Sequence, residues 1–247
     1  MSLPLPDPNL GMEPTAPEPQ NPWRLVDLVV FGVVFLFTVL LLNVIVIKFW
    51  GKEPTAMAQV VLQILMDGML VGFIAFLIKV VHGQSFLQAI HWTRNHQFSK
   101  GFLISLGATL AISVLIVSSL FPAGEPPPIE KLLSSATAVY VFALFGICGA
   151  PFFEEVIFRG FLFRVLFDTR GARTAVSITA ILFALLHVPQ LWGSWAGVAL
   201  IFVVGYVLSL VRWCTNSLIP SFIIHTSYNA MLFGVFALST FVQKGGK

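Results

Sequence analysis

The segment Pro151-Phe152-Phe153-Glu154-Glu155-Val156-Ile157-Phe158-Arg159-Gly160 sets two adjacent carboxylates and a guanidinium within six residues, inside sequence otherwise apolar enough for lipid. One charge at the centre of a bilayer costs about 2.5–3.5 kcal/mol on insertion scales, so three so close together require partners or a function. Whether the surroundings are lipid decides the fold. Of the 247 residues, 57% are hydrophobic and 10% charged, and the mean hydropathy is +0.90. That balance lies far from soluble globular domains. Apolar runs near the ~20 residues a helix needs to cross a bilayer recur along the chain. The strand-length alternation of a membrane barrel is missing. The sequence therefore predicts an all-α, polytopic membrane helical bundle with a membrane-embedded polar cavity.

Outward from the quoted segment, residues 1–22 carry seven of the 15 prolines and read as a disordered, polyproline-like tail. They have neither the basic nor the apolar region of a signal peptide. Residues 23–243 read as one transmembrane domain, followed by a tail over 244–247. Spans are expected at Leu25–Phe49, Ala56–Val81 and Gly101–Phe121, with a short interfacial helix around Phe86, Leu87, Ile90 and Trp92. Pro122–Pro128 is a loop. Ile129–Phe167 reads as helix interrupted at Gly149 and Pro151. Further spans follow at Thr174–His187, Ala196–Val211 and Leu218–Val242, with Gly171 in one turn and Arg212–Ser217 in a loop. The expected total is seven spans, or eight if Ile129–Phe167 crosses in two pieces.

The net charge of +3 is spread over the loops, as topology demands, and carries no basic cluster suited to nucleic acid. With seven spans, eight basic residues share the side of Arg24 and five lie opposite, which places the N-terminus in the cytoplasm. The compact size and the C-terminal Gln-Lys-Gly-Gly-Lys, which contains no retention signal, fit a bacterial plasma membrane. Cys148 and Cys214 lack metal or redox spacing and read as packing residues.

Three late segments hold the unusual side chains. Glu155 and Arg159 stand four residues apart and share a helix face, an ion pair in prospect, whereas Glu154 is rotated ~100° away. Glu154 lies 17 residues before Gly171 and His187 lies 16 after it, so an antiparallel pair brings both to one depth. Phe183 sits one turn from His187, and His225 and Asn229 are again four apart. A carboxylate beside an imidazole can deprotonate a water for attack on a carbonyl. An imidazole N–H and an amide on one face can hold the developing oxyanion. Glu154 with His187, and His225 with Asn229, are thus the candidate catalytic pairs. Glu155, Arg159 and Phe183 are structural or substrate-orienting, and Asp67 receives no role.

Glu-Glu-x-x-x-Arg at 154–159, Phe-x-x-x-His at 183–187 and His-x-x-x-Asn at 225–229, in that order, resemble the type II CAAX prenyl endopeptidase family, also called CPBP or ABI. The resemblance covers about residues 136–239, and every motif position is present. It implies an intramembrane protease cleaving a membrane-associated polypeptide, a prenylated CAAX-type tail where the host prenylates proteins. It also implies that Glu154 and His187 activate water while His225 and Asn229 form the oxyanion site. No cofactor is expected, since His-Glu-x-x-His is missing. A zinc-dependent variant using Glu154, His187 and His225 is the alternative mechanism. A non-catalytic immunity, scaffold or transport protein is the alternative function. The partners expected are the substrate polypeptide and the bilayer; the oligomeric state is not encoded legibly.

Overall fold

The computed structural model describes residues 23–51, 54–94, 96–121 and 143–245, and every regular element among them is helical. Helix α1, Leu25–Trp50, begins where the Asp27 carboxylate accepts the Arg24 N–H at 2.8 Å, and it ends at Gly51, whose φ of 74° stops the helix. Helix α2, Ala56–Phe76, is capped by the Thr55 hydroxyl and runs on as a wide π turn over Leu77–Val81. The short α3 spans Phe86–Ala89, within the stretch where the sequence predicts a short helix. Helix α4, Lys100–Ser119, starts on a Ser99 cap.

The carboxylate segment is a succession of short pieces. A π turn over Phe145–Gly149 leads into α5, Ala150–Glu155. A longer π segment over Val156–Leu162 leads into α6, Phe163–Arg170. Gly171, at φ 82°, makes the tight turn into α7, Ala172–His187, where a side chain would be strained. Helices α8, Trp195–Thr215, and α9, Leu218–Gly245, complete the bundle.

Five helical stretches among the described residues are long and apolar enough to span a bilayer: Leu25–Trp50, Met57–Val81, Lys100–Ser119, Trp195–Thr215 and Leu218–Ser239. Against the expected seven or eight, the described residues hold five. The reason lies in length and interruption. At 1.5 Å per residue the 16 residues of α7 reach only ~24 Å, short of a ~30 Å hydrocarbon core. The stretch before it is divided by π turns. The expectations for residues 1–22 and 122–142 lie outside the described residues. Two smaller readings also change: Arg212 belongs to α8, not to a loop, and Cys148 and Cys214 are exposed instead of packed.

The apolar face of α1, with Val29, Val33, Phe37, Leu40, Val44 and Ile47, points away from the protein, as lipid contact requires. Inside, Leu70, Ile74 and Ile78 of α2 pack with Phe158, Phe161 and Phe183 in one core, joined by Trp23. A second core unites α4, α8 and α9 through Leu103, Ala111, Val204, Leu208, Ile224 and Tyr228. Gly107 lets α4 press onto α9: a Cβ there would collide with the Ile224 carbonyl and lie 2.8 Å from Ser227 Cβ. Without a hydrophobic force between helices in lipid, such close approach of backbones is a main source of association. It fixes α9, the helix of His225 and Asn229.

A buried cluster of carboxylates, arginine and histidine

Glu155 and Arg159 are fully buried, and Arg159 Nη1 donates to Glu155 Oε1 at 3.0 Å. The same oxygen accepts from His225 Nδ1, also at 3.0 Å, so one carboxylate joins the π segment to α9. The other edge of that imidazole, Nε2, lies 3.6 Å from Glu154 Oε2. A single histidine therefore stands between both carboxylates. Because Nδ1 is committed to Glu155, any proton His225 exchanges with Glu154 or a substrate moves at Nε2.

Burial divides the two acids. The Glu155 side chain has no exposed surface, whereas that of Glu154 is 25% exposed. Arg159 is held on all sides: Nη2 donates to the Gly205 carbonyl of α8 at 2.9 Å, and the guanidinium lies 4.5 Å over the Phe183 ring. Phe183 in turn touches both imidazoles, with ring centroids 4.6 Å from His187 and 5.9 Å from His225. It is the common floor of the cluster.

His187 donates from Nδ1 to the Phe183 carbonyl at 2.7 Å, which leaves Nε2 as the basic nitrogen of a neutral ring. No direct hydrogen bond joins His187 to Glu154; the imidazole nearest Glu154 is that of His225. Matching the two by counting residues from Gly171 assumed a uniform α-helix, and seven of the intervening residues are π-helical. Asn229 donates one amide hydrogen to the Gly146 carbonyl at 2.7 Å. The Ala150 N–H, which an α-helix would give to that carbonyl, serves Phe145 instead, and the next candidate, Pro151, has no N–H. Asn229 thus satisfies a backbone acceptor orphaned by the proline and keeps its second N–H.

Two further groups converge here. Asp67 of α2 is buried, accepts from Gln63 Nε2 at 3.0 Å, and lies within Coulombic range of Glu154. Arg212 of α8 is fully buried against the π segment. A lone acid in an apolar span was the visible signal for Asp67; Arg212 was masked by its place at the end of a run. Among the described residues, no three His, Cys, Asp or Glu side chains are arranged to hold a metal ion.

Five apolar helices around a buried charged centre define a multi-pass integral membrane protein. Residues 136–231 match the family model of the Rce1-like type II CAAX prenyl endopeptidases. The match supports a protease-type enzyme, and it holds Glu154, Glu155, Arg159, Phe183, His187, His225 and Asn229. Searches of curated proteins and of solved structures return no match.

Proposed function

We propose that the protein is an intramembrane endopeptidase that hydrolyses a peptide bond in a membrane-associated polypeptide. The observation that carries this reading is the His225 ring, placed between a partly exposed Glu154 and a buried, arginine-paired Glu155 inside the family-matched segment. Glu154, the more exposed of the two carboxylates, takes a proton from the hydrolytic water as its oxygen attacks the scissile carbonyl. His187 offers Nε2 as a second base for the same water. With Nδ1–H given to Glu155, His225 donates to the oxyanion from Nε2 as an imidazolium, and the free amide hydrogen of Asn229 is the second donor. Collapse of the intermediate returns the proton held by Glu154 to the leaving amine, so no covalent acyl-enzyme forms. Glu155 and Arg159 hold His225 in place without touching substrate.

A substrate with a prenylated C-terminal tail follows from the family description and is the first to test. The experiment is cleavage of quenched membrane peptides, with and without a prenylated cysteine, in liposomes by wild type, Glu154→Gln and His187→Ala. Wild-type cleavage with loss in both variants supports the proposal. Equal activity in all three would sink the mechanism. Chelation with EDTA during the same assay separates the zinc alternative: a metal-independent site keeps its activity.

A further inference from the structure

The π segment Val156–Leu162 leaves a second orphaned carbonyl. In an α-helix the Phe163 N–H would serve Arg159; here it goes to Phe158. The Arg159 carbonyl instead accepts from Arg212 Nε at 3.1 Å. The reverse link also exists, because Arg159 Nη2 donates to the Gly205 carbonyl of the helix that carries Arg212. Two fully buried arginines, each donating across to the other's helix, clamp α8 to the π segment.

A buried guanidinium is costly, and among the described residues no carboxylate lies within ion-pair distance of Arg212; Asp168 and Glu155 attract it only from further off. Its remaining contacts are the Asn216 side-chain oxygen at 3.4 Å and the face of Phe163 at 5.4 Å. Its position is explained by the backbone it supports. If the π turn relaxed to α geometry, the residues beyond it would rotate, and Arg159 would lose its line to Gly205 while its i,i+4 relation to Glu155 persisted.

We infer that Arg212 is a positioning residue for the charged centre: its bond to the Arg159 carbonyl holds the π turn open, which sets the Glu155–Arg159 pair against Gly205 of α8 and His225 of α9. The inference rests on the proteolytic reading for its kinetic consequence, but its geometric consequence stands without it. Arg212→Lys keeps the charge and removes the Nε–H; Arg212→Gln keeps a donor and removes the charge. Two measurements then decide.

The first needs no substrate. In ¹⁵N-histidine-labelled protein in detergent, both variants are expected to shift the His225 ring nitrogens, while His96, exposed ahead of α4, keeps its signals. The second is kinetic, run beside wild type and Glu154→Gln. Arg212→Lys is expected to lower kcat roughly 10²-fold, as a displacement of ~1 Å at a reacting centre does, with little change in KM. Made on an Arg159→Lys background, it should change kcat by less than about twofold, because its action passes through Arg159. Unchanged His225 signals in both variants, or an equal fall in kcat on both backgrounds, would overturn the inference. If wild type cleaves no peptide, the proteolytic reading fails alone, and the histidine signals still decide the role of Arg212.

Discussion

Replacing Arg159 with Met isolates what the buried pair contributes to the fold. The substitution keeps an apolar stem of similar length but removes the bond to Glu155 at 3.0 Å, the bond to the Gly205 carbonyl and the stacking over Phe183. The Gly205 carbonyl retains the Ser209 hydroxyl at 2.8 Å, so that loss is small. Glu155 is the expensive part. With no exposed surface it cannot recruit water, and its remaining partners are His225 and the Ser221 hydroxyl. Breaking a buried pair from one side costs about 3–5 kcal/mol. For a chain of this size each kcal/mol moves the midpoint by about 2–4 °C, so Arg159→Met should lower the apparent Tm in detergent by roughly 6–20 °C. Adding Glu155→Gln removes the stranded charge and should restore more than half of that loss, since replacing both members of a buried pair is often close to neutral. A single-variant shift below about 2 °C, or a double variant no better than the single, would refute the claim that Glu155 depends on Arg159.

Glu154→Gln should behave oppositely: its side chain is partly exposed and its contact with His225 is 3.6 Å, so Tm is expected to stay within about 2 °C while cleavage falls by roughly 10²–10⁴-fold. Gly107→Leu forces side-chain atoms into the Ile224 carbonyl and Ser227, and should destabilise the α4–α9 contact by about 1–3 kcal/mol, read as a lower Tm and earlier proteolysis of α4. His91, in the loop after α3, is pushed down to about 4 by burial and then by Arg164 and Arg212, against the bond to Asn216. A histidine held neutral favours the folded state above its free value near 6.5, and that contribution fades as pH falls towards 4. Stability should therefore drop across pH 6.5 to 4, and His91→Phe should flatten the profile; an unchanged slope would contradict this.

The membrane class and the helix ends were legible because composition and capping act locally: Arg24 with Asp27, Thr55, Ser99 and Gly171 each mark a boundary that neighbouring residues determine. The Glu155–Arg159 pair was legible for the same reason, since four residues define one face. The meeting of His225 with both carboxylates was not, because 70 residues separate the partners and their phase depends on helix type. Nothing in Val156–Leu162 announces a π helix. Its free carbonyl is met by a donor on another helix, so a count at 100° per residue does not reveal that the His225 ring lies 3.6 Å from Glu154. Pro151 did signal a broken bond pattern, but not that Asn229 would mend it.

The two π turns connect these observations. Each lies beside the carboxylates, each orphans a carbonyl, and each orphan is taken by a side chain from another late helix: Gly146 by Asn229 of α9, and Arg159 by Arg212 of α8. A regular α-helix through this stretch would satisfy its own backbone and slide or turn against its neighbours at little cost. Irregular backbone within a membrane is tolerated only where other groups complete it, so the irregularity itself ties the stretch to α8 and α9. Glu155 then adds a charged tie, accepting from Arg159 within its own stretch and from His225 across the bundle. The support comes from outside the family-matched segment as well, since α4 locks α9 through Gly107 and α2 sets Asp67 beside Glu154. Rigid placement of Glu155 leaves Glu154, one residue earlier and partly open, as the carboxylate free to change partners during a reaction. The adjacent acids thus divide their tasks by what the surrounding helices fix and what they leave exposed.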